Sequence, residues 1–186
     1  MTTEYSKGLK FESNNDGTCN LIGIGTCTDT NIIIPPISPD GEKVIKIDDN
    51  AFYFDMIIDE YFCMYNGLDF SILDDNIESI TIPEGVVSIG CGAFQNRRLK
   101  AINFPSTLIH IGSECCSDCC NLSSINIPNV KTIEKYAFFN CDNLKDVTLP
   151  SVTYIGDFAF CNCPKLTNIQ IPSTTSLGEE PFDNMD

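Results

Sequence analysis

Apolar and polar positions recur with a fixed period through residues 77–186. Five copies of one pattern begin at Ile77, Leu99, Leu122, Leu144 and Leu166. Each copy carries one proline at the same place, and successive prolines are 22, 23, 22 and 22 residues apart: Pro83, Pro105, Pro128, Pro150 and Pro172. A repeat of this length indicates a solenoid, because one copy cannot bury its apolar stripe except against stacked neighbours.

The copy at residues 122–143 shows what each position does. Ile125 and Ile127 flank Asn126, and this two-residue alternation predicts a short strand with one buried face. Pro128 then ends the strand, because proline has no N–H to donate to a neighbouring strand. A second apolar pair and an Ala-Phe pair follow, so that a single Phe supplies the largest apolar group of the coil.

The repeat reads Leu-x-x-Ile-x-Ile-Pro followed by Ile-Gly-x-x-Ala-Phe-x-x-Cys, and it resembles the BspA-type leucine-rich repeat. Residues 8–36 also resemble the cap that often opens such arrays, and the resemblance has a gap at residues 53–76. It implies a right-handed solenoid of α/β class, with one short parallel strand per coil and irregular or helical returns. It further implies a binding protein of the kind that bacteria and protists largely display on their surface or secrete.

Length and pattern together predict one domain made of three parts. We expect an N-terminal cap, an irregular repeat with an insertion, and five regular repeats, at residues 1–30, 31–76 and 77–186. Within the cap, apolar residues flank Asn-Asn-Asp-Gly, which predicts a β-hairpin of residues 9–13 and 18–22 that covers the first coil. Helical spacing of apolar residues predicts a short amphipathic helix at residues 55–65.

The formal net charge of −15 is concentrated in the first part of the chain. Residues 1–76 hold 14 acids and 4 bases, and residues 77–186 hold 12 acids and 7 bases. Such a charge disfavours direct binding to nucleic acid or to an anionic membrane, and it favours basic partners. An acidic inhibitor or decoy that covers a basic surface of a target protein is therefore an alternative function.

The chain shows neither an apolar signal-peptide core nor a run of about 18 apolar residues that would span a membrane. We expect no membrane insertion. The expected location is cytoplasmic as the sequence is written, and surface-exposed or secreted if an export segment has been removed.

Eleven cysteines raise the question of disulfides or zinc. Cys115-Cys116-x-x-Cys119-Cys120 has the local spacing of a metal clip. The repeat nevertheless accounts for most cysteines, because three of them share one slot after the Phe position: Cys119, Cys141 and Cys163. We predict buried structural thiols and neither metal nor cofactor. Cys116 takes the place of Phe, which predicts an underpacked layer of the core.

No catalytic set is visible. The only histidine, His110, falls in the predicted return of one coil, and there is no G-x-S-x-G, P-loop or H-E-x-x-H motif. We therefore expect a protein that is not an enzyme.

The outward positions of the predicted strands form a shallow polar surface, and solenoids commonly bind through such extended surfaces. The candidate binding residues on this face are Glu78, Thr81, Lys100, Asn103, Ser124, Asn126, Lys145, Asp146, Thr148, Asn168 and Gln170. The predicted function is a non-catalytic module for protein–protein interaction or adhesion, with a protein as partner. Because the last copy has no obvious polar cap, a homodimer through the C-terminal coil is a further expectation.

Overall fold

The structure, a computed structural model, describes residues 4–53 and 77–183. A hairpin of β1 (Lys10–Ser13) and β2 (Thr18–Gly23) comes first, and six coils follow it. Each coil contributes a three-residue first strand: β3 (Asn31–Ile33), β5 (Ser79–Thr81), β7 (Ala101–Asn103), β9 (Ser124–Asn126), β11 (Asp146–Thr148) and β13 (Asn168–Gln170). Each also contributes a second strand: β4 (Lys43–Ile47), β6 (Ser88–Ile89), β8 (His110–Ile111), β10 (Thr132–Ile133), β12 (Tyr154–Ile155) and β14 (Ser176–Leu177).

The strands stack into three sheets that run along the solenoid. The second strands and the hairpin form one eight-stranded sheet in the order β1-β2-β4-β6-β8-β10-β12-β14. The first strands form two separate sheets of three, β3-β5-β7 and β9-β11-β13. All pairs between coils are parallel, as in β10 with β12, and the predicted repeat solenoid is confirmed.

The predicted N-terminal hairpin is also confirmed. β1 and β2 pair antiparallel, and the turn between them contains Asn15 and Gly17 in the left-handed region, with φ of 61° and 86°. β2 then pairs parallel with β4, so the hairpin covers the first edge of the eight-stranded sheet. Ser6 covers the neighbouring edge, because its N–H donates to the carbonyl of Ile33 at 2.9 Å.

The predicted α/β class and helical returns are wrong for the part of the chain that the structure describes, which contains strands and turns. After each second strand, alternate N–H groups donate to the next coil, as Glu114 does to Lys135 (3.1 Å) and Cys116 to Ala137 (2.7 Å). An α-helix would need these N–H groups for carbonyls four residues back in the same segment. The predicted helix at residues 55–65 lies outside the described residues.

One further difference is that every coil holds two strands instead of the one expected. The second strand is short, and its two-residue pattern is too brief to show the alternation that identified the first. Ile133 in β10 and Ile155 in β12 are fully buried, so this strand also supplies an aliphatic side chain to the core.

Phenylalanines stack from coil to coil on the turn side of the solenoid, which is formed by the turns that follow the second strands. Phe52 and Phe94 have ring centroids 5.5 Å apart, and Phe160 lies between Phe138 and Phe182 at 5.1 and 5.6 Å. Cys116 interrupts the stack between Phe94 and Phe138, at the position where its neighbours carry Phe.

The cysteines after the Phe position form regular hydrogen bonds across the coils. Their thiols donate to the carbonyl of the residue at the Phe position one coil earlier: Cys119 to Phe94 (3.2 Å), Cys141 to Cys116 (3.3 Å) and Cys163 to Phe138 (3.2 Å). Arg97 occupies the same slot one coil earlier and donates its Nε–H to the carbonyl of Phe52. These side chains satisfy carbonyls that burial would otherwise leave unpaired.

Candidate binding face and groove

The structure places the predicted binding residues on the outer side of the first strands, as the alternation requires. None is buried; Thr81 and Thr148 are half-buried and the other nine are exposed. The two separate sheets divide them into two groups. The β3-β5-β7 side carries Glu78, Thr81, Lys100 and Asn103, and the β9-β11-β13 side carries Ser124, Asn126, Lys145, Asp146, Thr148, Asn168 and Gln170.

Within each group, polar side chains pair between neighbouring coils. Lys100 Nζ lies 2.7 Å from Glu78 Oε1, and Asn103 Nδ2 donates to Thr81 Oγ1 at 3.0 Å. On the other side, Asn168 Nδ2 donates to Asp146 Oδ1 at 3.1 Å. Such pairs hold the outward side chains in register along the solenoid.

A groove of about 340 Å³ separates the two groups. It is lined by Lys100, Ala101, Ile102, Asn103, Phe104, Ser123, Ser124 and Asn126. β7 and β9 belong to different sheets, and no backbone hydrogen bond joins them. Side chains cross between the two coils at both ends of the groove, where Asn121 Nδ2 donates to the carbonyl of Arg98 at 3.2 Å and Asn129 Nδ2 to that of Ser106 at 2.7 Å. The predicted face is therefore two surfaces with an opening between them.

The groove coincides with a change in the length of one loop. Four residues separate the proline from the second strand upstream of the groove, at residues 84–87 and 106–109. Three residues do so downstream, at residues 129–131, 151–153 and 173–175. The second strands keep one continuous sheet, so this one-residue step displaces the first strands relative to one another and interrupts their ladder.

A larger hollow, of about 570 Å³, lies beside residues 4–8 and is lined in part by Tyr5, Lys7 and Asp29. That hollow lies at the N-terminal end, and it is also lined by Asn31 and Ile33 of β3, at the start of the strand face that the groove interrupts.

The thiols around Cys116 are core residues. Cys115 and Cys116 have Sγ atoms 3.8 Å apart and both are fully buried. Burial raises the pKa of the Cys116 thiol well above its usual value, and a hydrogen bond with Cys163, together with burial, raises that of Cys141. A metal ion would require deprotonated thiolates. Within residues 4–53 and 77–183, no three His, Cys, Asp or Glu side chains are grouped to hold a metal, and the cysteines are free thiols.

His110 lies on a strand and not in a return as expected. It is the first residue of β8, and its Nδ1 is 2.7 Å from Thr132 Oγ1 on β10. This contact joins two neighbouring second strands, and the geometry gives His110 a structural role.

The sequence analysis missed an aromatic cluster on the turn side of the solenoid. Tyr136 stacks on Phe158 with centroids 5.3 Å apart, and Phe139 meets Tyr136 edge-on at 5.6 Å. All three are half-buried. Tyr136 and Phe158 have φ of 57° and 54°, a region that bulky side chains seldom occupy. The sequence signal was an aromatic residue two positions before the buried Phe in two successive coils.

The coil geometry and the repeat agree with comparisons to known proteins. The family model of the BspA type leucine rich repeat region, in six copies, matches residues 70–186. The chain belongs to this family. A search of curated proteins gave no match.

Solved structures of bacterial leucine-rich repeat proteins resemble this BspA-type chain. A leucine rich cell surface protein from Faecalibacterium prausnitzii is 28% identical with a TM-score of 0.75, and the match covers 98% of this chain and 47% of that one. The chain thus spans about half the length of that protein. A leucine rich repeat protein of T. pallidum (20% identity, TM-score 0.63, 92% of this chain and 84% of that one) shows the same fold.

A leucine-rich repeat protein from Eubacterium ventriosum has the same fold, at 20% identity and a TM-score of 0.63, over 94% of this chain and 49% of that one.

Among the described residues, no helix has the length and apolar character needed to cross a membrane.

Proposed function

We propose that the chain is a non-catalytic module for protein–protein interaction or adhesion, and that it binds its partner through the face formed by the first strands. The observation that carries this proposal is the groove between β7 and β9, which opens within an otherwise regular polar face. Leucine-rich repeat solenoids present extended surfaces of this kind to partners. The proposed contact residues are the predicted residues on both sides of the groove, with Lys100, Asn103, Ser124 and Asn126 nearest to it.

The proposal can be tested by selecting ligands on the immobilised chain from a phage-displayed library of random peptides. Dissociation constants of a selected peptide are then measured with two matched double variants. Lys100→Ala/Asn126→Ala changes the groove, and Lys131→Ala/Thr153→Ala changes an exposed Lys and an exposed polar residue elsewhere. We expect the groove variant to bind at least fivefold more weakly and the control variant to bind within twofold of wild type. Equal losses in both variants would contradict the proposal.

The alternative of an acidic inhibitor or decoy requires the acids of residues 1–76 to converge on one face. The described acids are instead distributed: Glu42 accepts from Ser13 beside the hairpin, and Asp49 accepts from the N–H of Cys91 in the next coil. No observation on the described residues favours the decoy, so the interaction module is the better-supported proposal. Nucleic acid is not among the partners that we propose, because of the net charge of −15.

The state of the cysteines bears on location. The described cysteines are free and mostly buried, which suits a reducing compartment. We propose a cytoplasmic location on this ground. The surface alternative is supported by the F. prausnitzii protein, which is described as a cell surface protein. Fractionation of the source cells with an antibody against the chain distinguishes the two.

A homodimer through the C-terminal coil is a further proposal about partners. Leu177 is 48% exposed, whereas the residues at the same position of the two preceding coils, Ile133 and Ile155, are fully buried. Ile169, Ile171 and Phe182 are also only partly buried. A second copy that covers this coil would bury these apolar groups.

A further inference from the structure

A hollow of about 300 Å³ lies on the turn side of the solenoid. Its lining residues come from the turns of three successive coils, and none of them belongs to a strand: Gln95, Glu114, Ser117, Asp118, Tyr136 and Phe139. Ligand pockets range over roughly 300–1,000 Å³, and a hollow at the lower end of this range suits a single side chain.

Two aromatic rings form one corner of this turn-side hollow. Tyr136 and Phe139 are half-buried, and their ring planes meet at 89°. Phe158 stacks on one face of Tyr136 but is not among the lining residues. The hollow therefore lies on the other side of the Tyr136 ring, toward the coil that carries Glu114. The face of an aromatic ring carries partial negative charge and attracts cations.

The preceding coil contributes two half-buried carboxylates, and neutral donors hold both of them in place. Gln95 Nε2 donates to Glu114 Oε2 at 3.0 Å. Ser117 Oγ and Asn140 Nδ2 donate to the two carboxylate oxygens of Asp118, at 2.9 and 2.8 Å. These hydrogen bonds position the carboxylates without neutralising them. The turn-side hollow thus combines two negative charges with two aromatic rings.

Among the residues that the structure describes, no Lys or Arg lines the turn-side hollow. Lys135 adjoins Tyr136 in the sequence, but its side chain is exposed and is not part of the lining. Residues 112–121 hold Glu114 and Asp118 and no base. Salt screens partly buried charges less than exposed ones, so we expect the hollow to attract a cation from outside the chain.

The backbone of the hollow is one that glycine adopts more readily than other residues. Glu114 and Tyr136 have φ of 56° and 57°, and the residue at the same turn position one coil earlier is Gly92, with φ of 59°. Side chains larger than that of glycine are disfavoured in this region. Residues in such conformations concentrate at functional sites, which agrees with a binding role for Glu114 and Tyr136.

We propose that the turn-side hollow binds one arginine side chain of a partner protein. A planar guanidinium can stack on an aromatic ring and donate to carboxylates at the same time, whereas the ammonium group of lysine lacks this planar fork. The net charge of −15 also favours the approach of a basic partner. This surface is separate from the first strands, so the inference goes beyond the proposed function and does not depend on it.

The probe is the blocked peptide acetyl-Gly-Gly-Arg-Gly-Gly-amide, titrated into ¹⁵N-labelled protein. We expect saturable chemical-shift changes centred on the amides of Glu114, Asp118, Tyr136 and Phe139, with a dissociation constant of about 1 mM. Changes centred elsewhere, or no saturable change at about 10 mM peptide, would overturn the proposal.

Two control peptides test the chemistry of the bound group. One carries citrulline in place of arginine, which keeps a similar shape without the charge, and it should bind at least about fivefold more weakly. The other carries lysine and should also bind more weakly than the arginine peptide. Equal binding of the citrulline peptide would overturn recognition of a cation, and tighter binding of the lysine peptide would overturn the choice of arginine.

Matched variants of the protein test the carboxylate and the ring. Glu114→Gln removes one charge and keeps an acceptor for Gln95, and Tyr136→Leu removes the ring. Each should weaken binding of the arginine peptide by about threefold or more. Glu180→Gln removes a charge at the same turn position three coils later and should bind within about twofold of wild type. Equal losses in Glu114→Gln and Glu180→Gln would show that binding follows overall charge, and would overturn the assignment.

The groove variant Lys100→Ala/Asn126→Ala separates this test from that of the proposed function. It should bind the arginine peptide as wild type does, and a loss in this variant would place the arginine at the groove and overturn the assignment to the turn side. Circular dichroism checks that each variant folds. If Tyr136→Leu does not fold, the comparison of Glu114→Gln with Glu180→Gln still decides the matter.

Discussion

The ring of Phe138 lies parallel to the ring of Phe160, with centroids 5.1 Å apart and planes 3° apart. Both side chains are fully buried, so each ring is covered by the coils on either side. In a solenoid, stability comes largely from such contacts between neighbouring coils. The stack therefore connects a one-dimensional sequence repeat to the cohesion of the whole array.

Truncating this stack should be costly. We expect Phe138→Ala to lower the free energy of unfolding by about 3–5 kcal/mol, because a buried ring is removed and a cavity is left. Urea unfolding followed by circular dichroism measures the change. Lys135→Ala, at an exposed position of the same coil, is the control and should change stability by less than about 0.5 kcal/mol. A loss below about 1 kcal/mol in Phe138→Ala would contradict the role of the stack.

The layer at Cys116 should accept a larger side chain. Cys115 replaces the Ala of other coils and restores only part of the volume that Phe would fill, so the predicted underpacking remains to be tested. We expect Cys116→Leu to raise the free energy of unfolding by about 1 kcal/mol, through added buried methylene groups. A loss of about 1–3 kcal/mol would show instead that the layer is already full. The same substitution at Cys141, which faces a carbonyl of the previous coil, should be destabilising and serves as the comparison.

The thiols should differ in reactivity according to their burial. Cys91 is exposed, whereas Cys116, Cys141 and Cys163 have no exposed surface. We expect iodoacetamide to label Cys91 first in the native protein, and the other three only after unfolding in urea. Peptide mapping by mass spectrometry reports each site separately. Labelling of Cys116 at the rate of Cys91 without denaturant would show that the core opens readily at that layer.

Stability should fall at alkaline pH. The pKa of the Cys116 thiol is raised above the ordinary value of 9.0, chiefly by burial. The hydrogen bond between Cys141 and Cys163 raises the pKa of Cys141 but lowers that of Cys163, so these two thiols oppose each other. Above pH 9 the unfolded chain therefore loses the Cys116 proton while the folded chain retains it. The stabilisation is complete below that pH and declines as the pH rises.

The measurement is the urea midpoint at pH 8 and at pH 10 for wild type and for Cys116→Ala. Tyr and Lys titrate in both proteins, so the difference between the two declines isolates the Cys116 thiol. We expect a smaller decline in the variant. A decline of the same size in both proteins would mean that Cys116 does not govern the alkaline response.

The fold could be predicted from sequence where a pattern repeats over several coils. The alternation at Ile125 and Ile127 identified the first strands, and Asn-Asp-Gly identified the hairpin turn. The turn side could not be predicted in this way, because its conformation depends on bonds between coils. The N–H of Cys116, for example, donates to Ala137 of the next coil, and no local pattern encodes that partner.

The candidate face was predictable residue by residue, but its division was not. Lys100 and Ser124 occupy equivalent slots next to each other in the repeat, and alternation alone places them on one continuous surface. The division depends on the length of the loop after the proline. This loop has four residues before His110 and three before Thr132. The 23-residue spacing between Pro105 and Pro128 was the visible sign of this step.

The proposed dimer can be tested by light scattering across a range of protein concentrations, with reducing agent present and absent. Leu177 is 48% exposed, and burying it in a second copy would stabilise a dimer through the last coil. We expect a dimer that survives reduction, and a shift toward monomer in Leu177→Lys.

Ile109→Lys is the control for the dimer, because Ile109 is 42% exposed but lies in the middle of the array. It should leave the measured mass unchanged. A monomer under all conditions would contradict the dimer. A dimer that disappears on reduction would instead assign the association to a disulfide, and the exposed Cys91 would be the first thiol to replace.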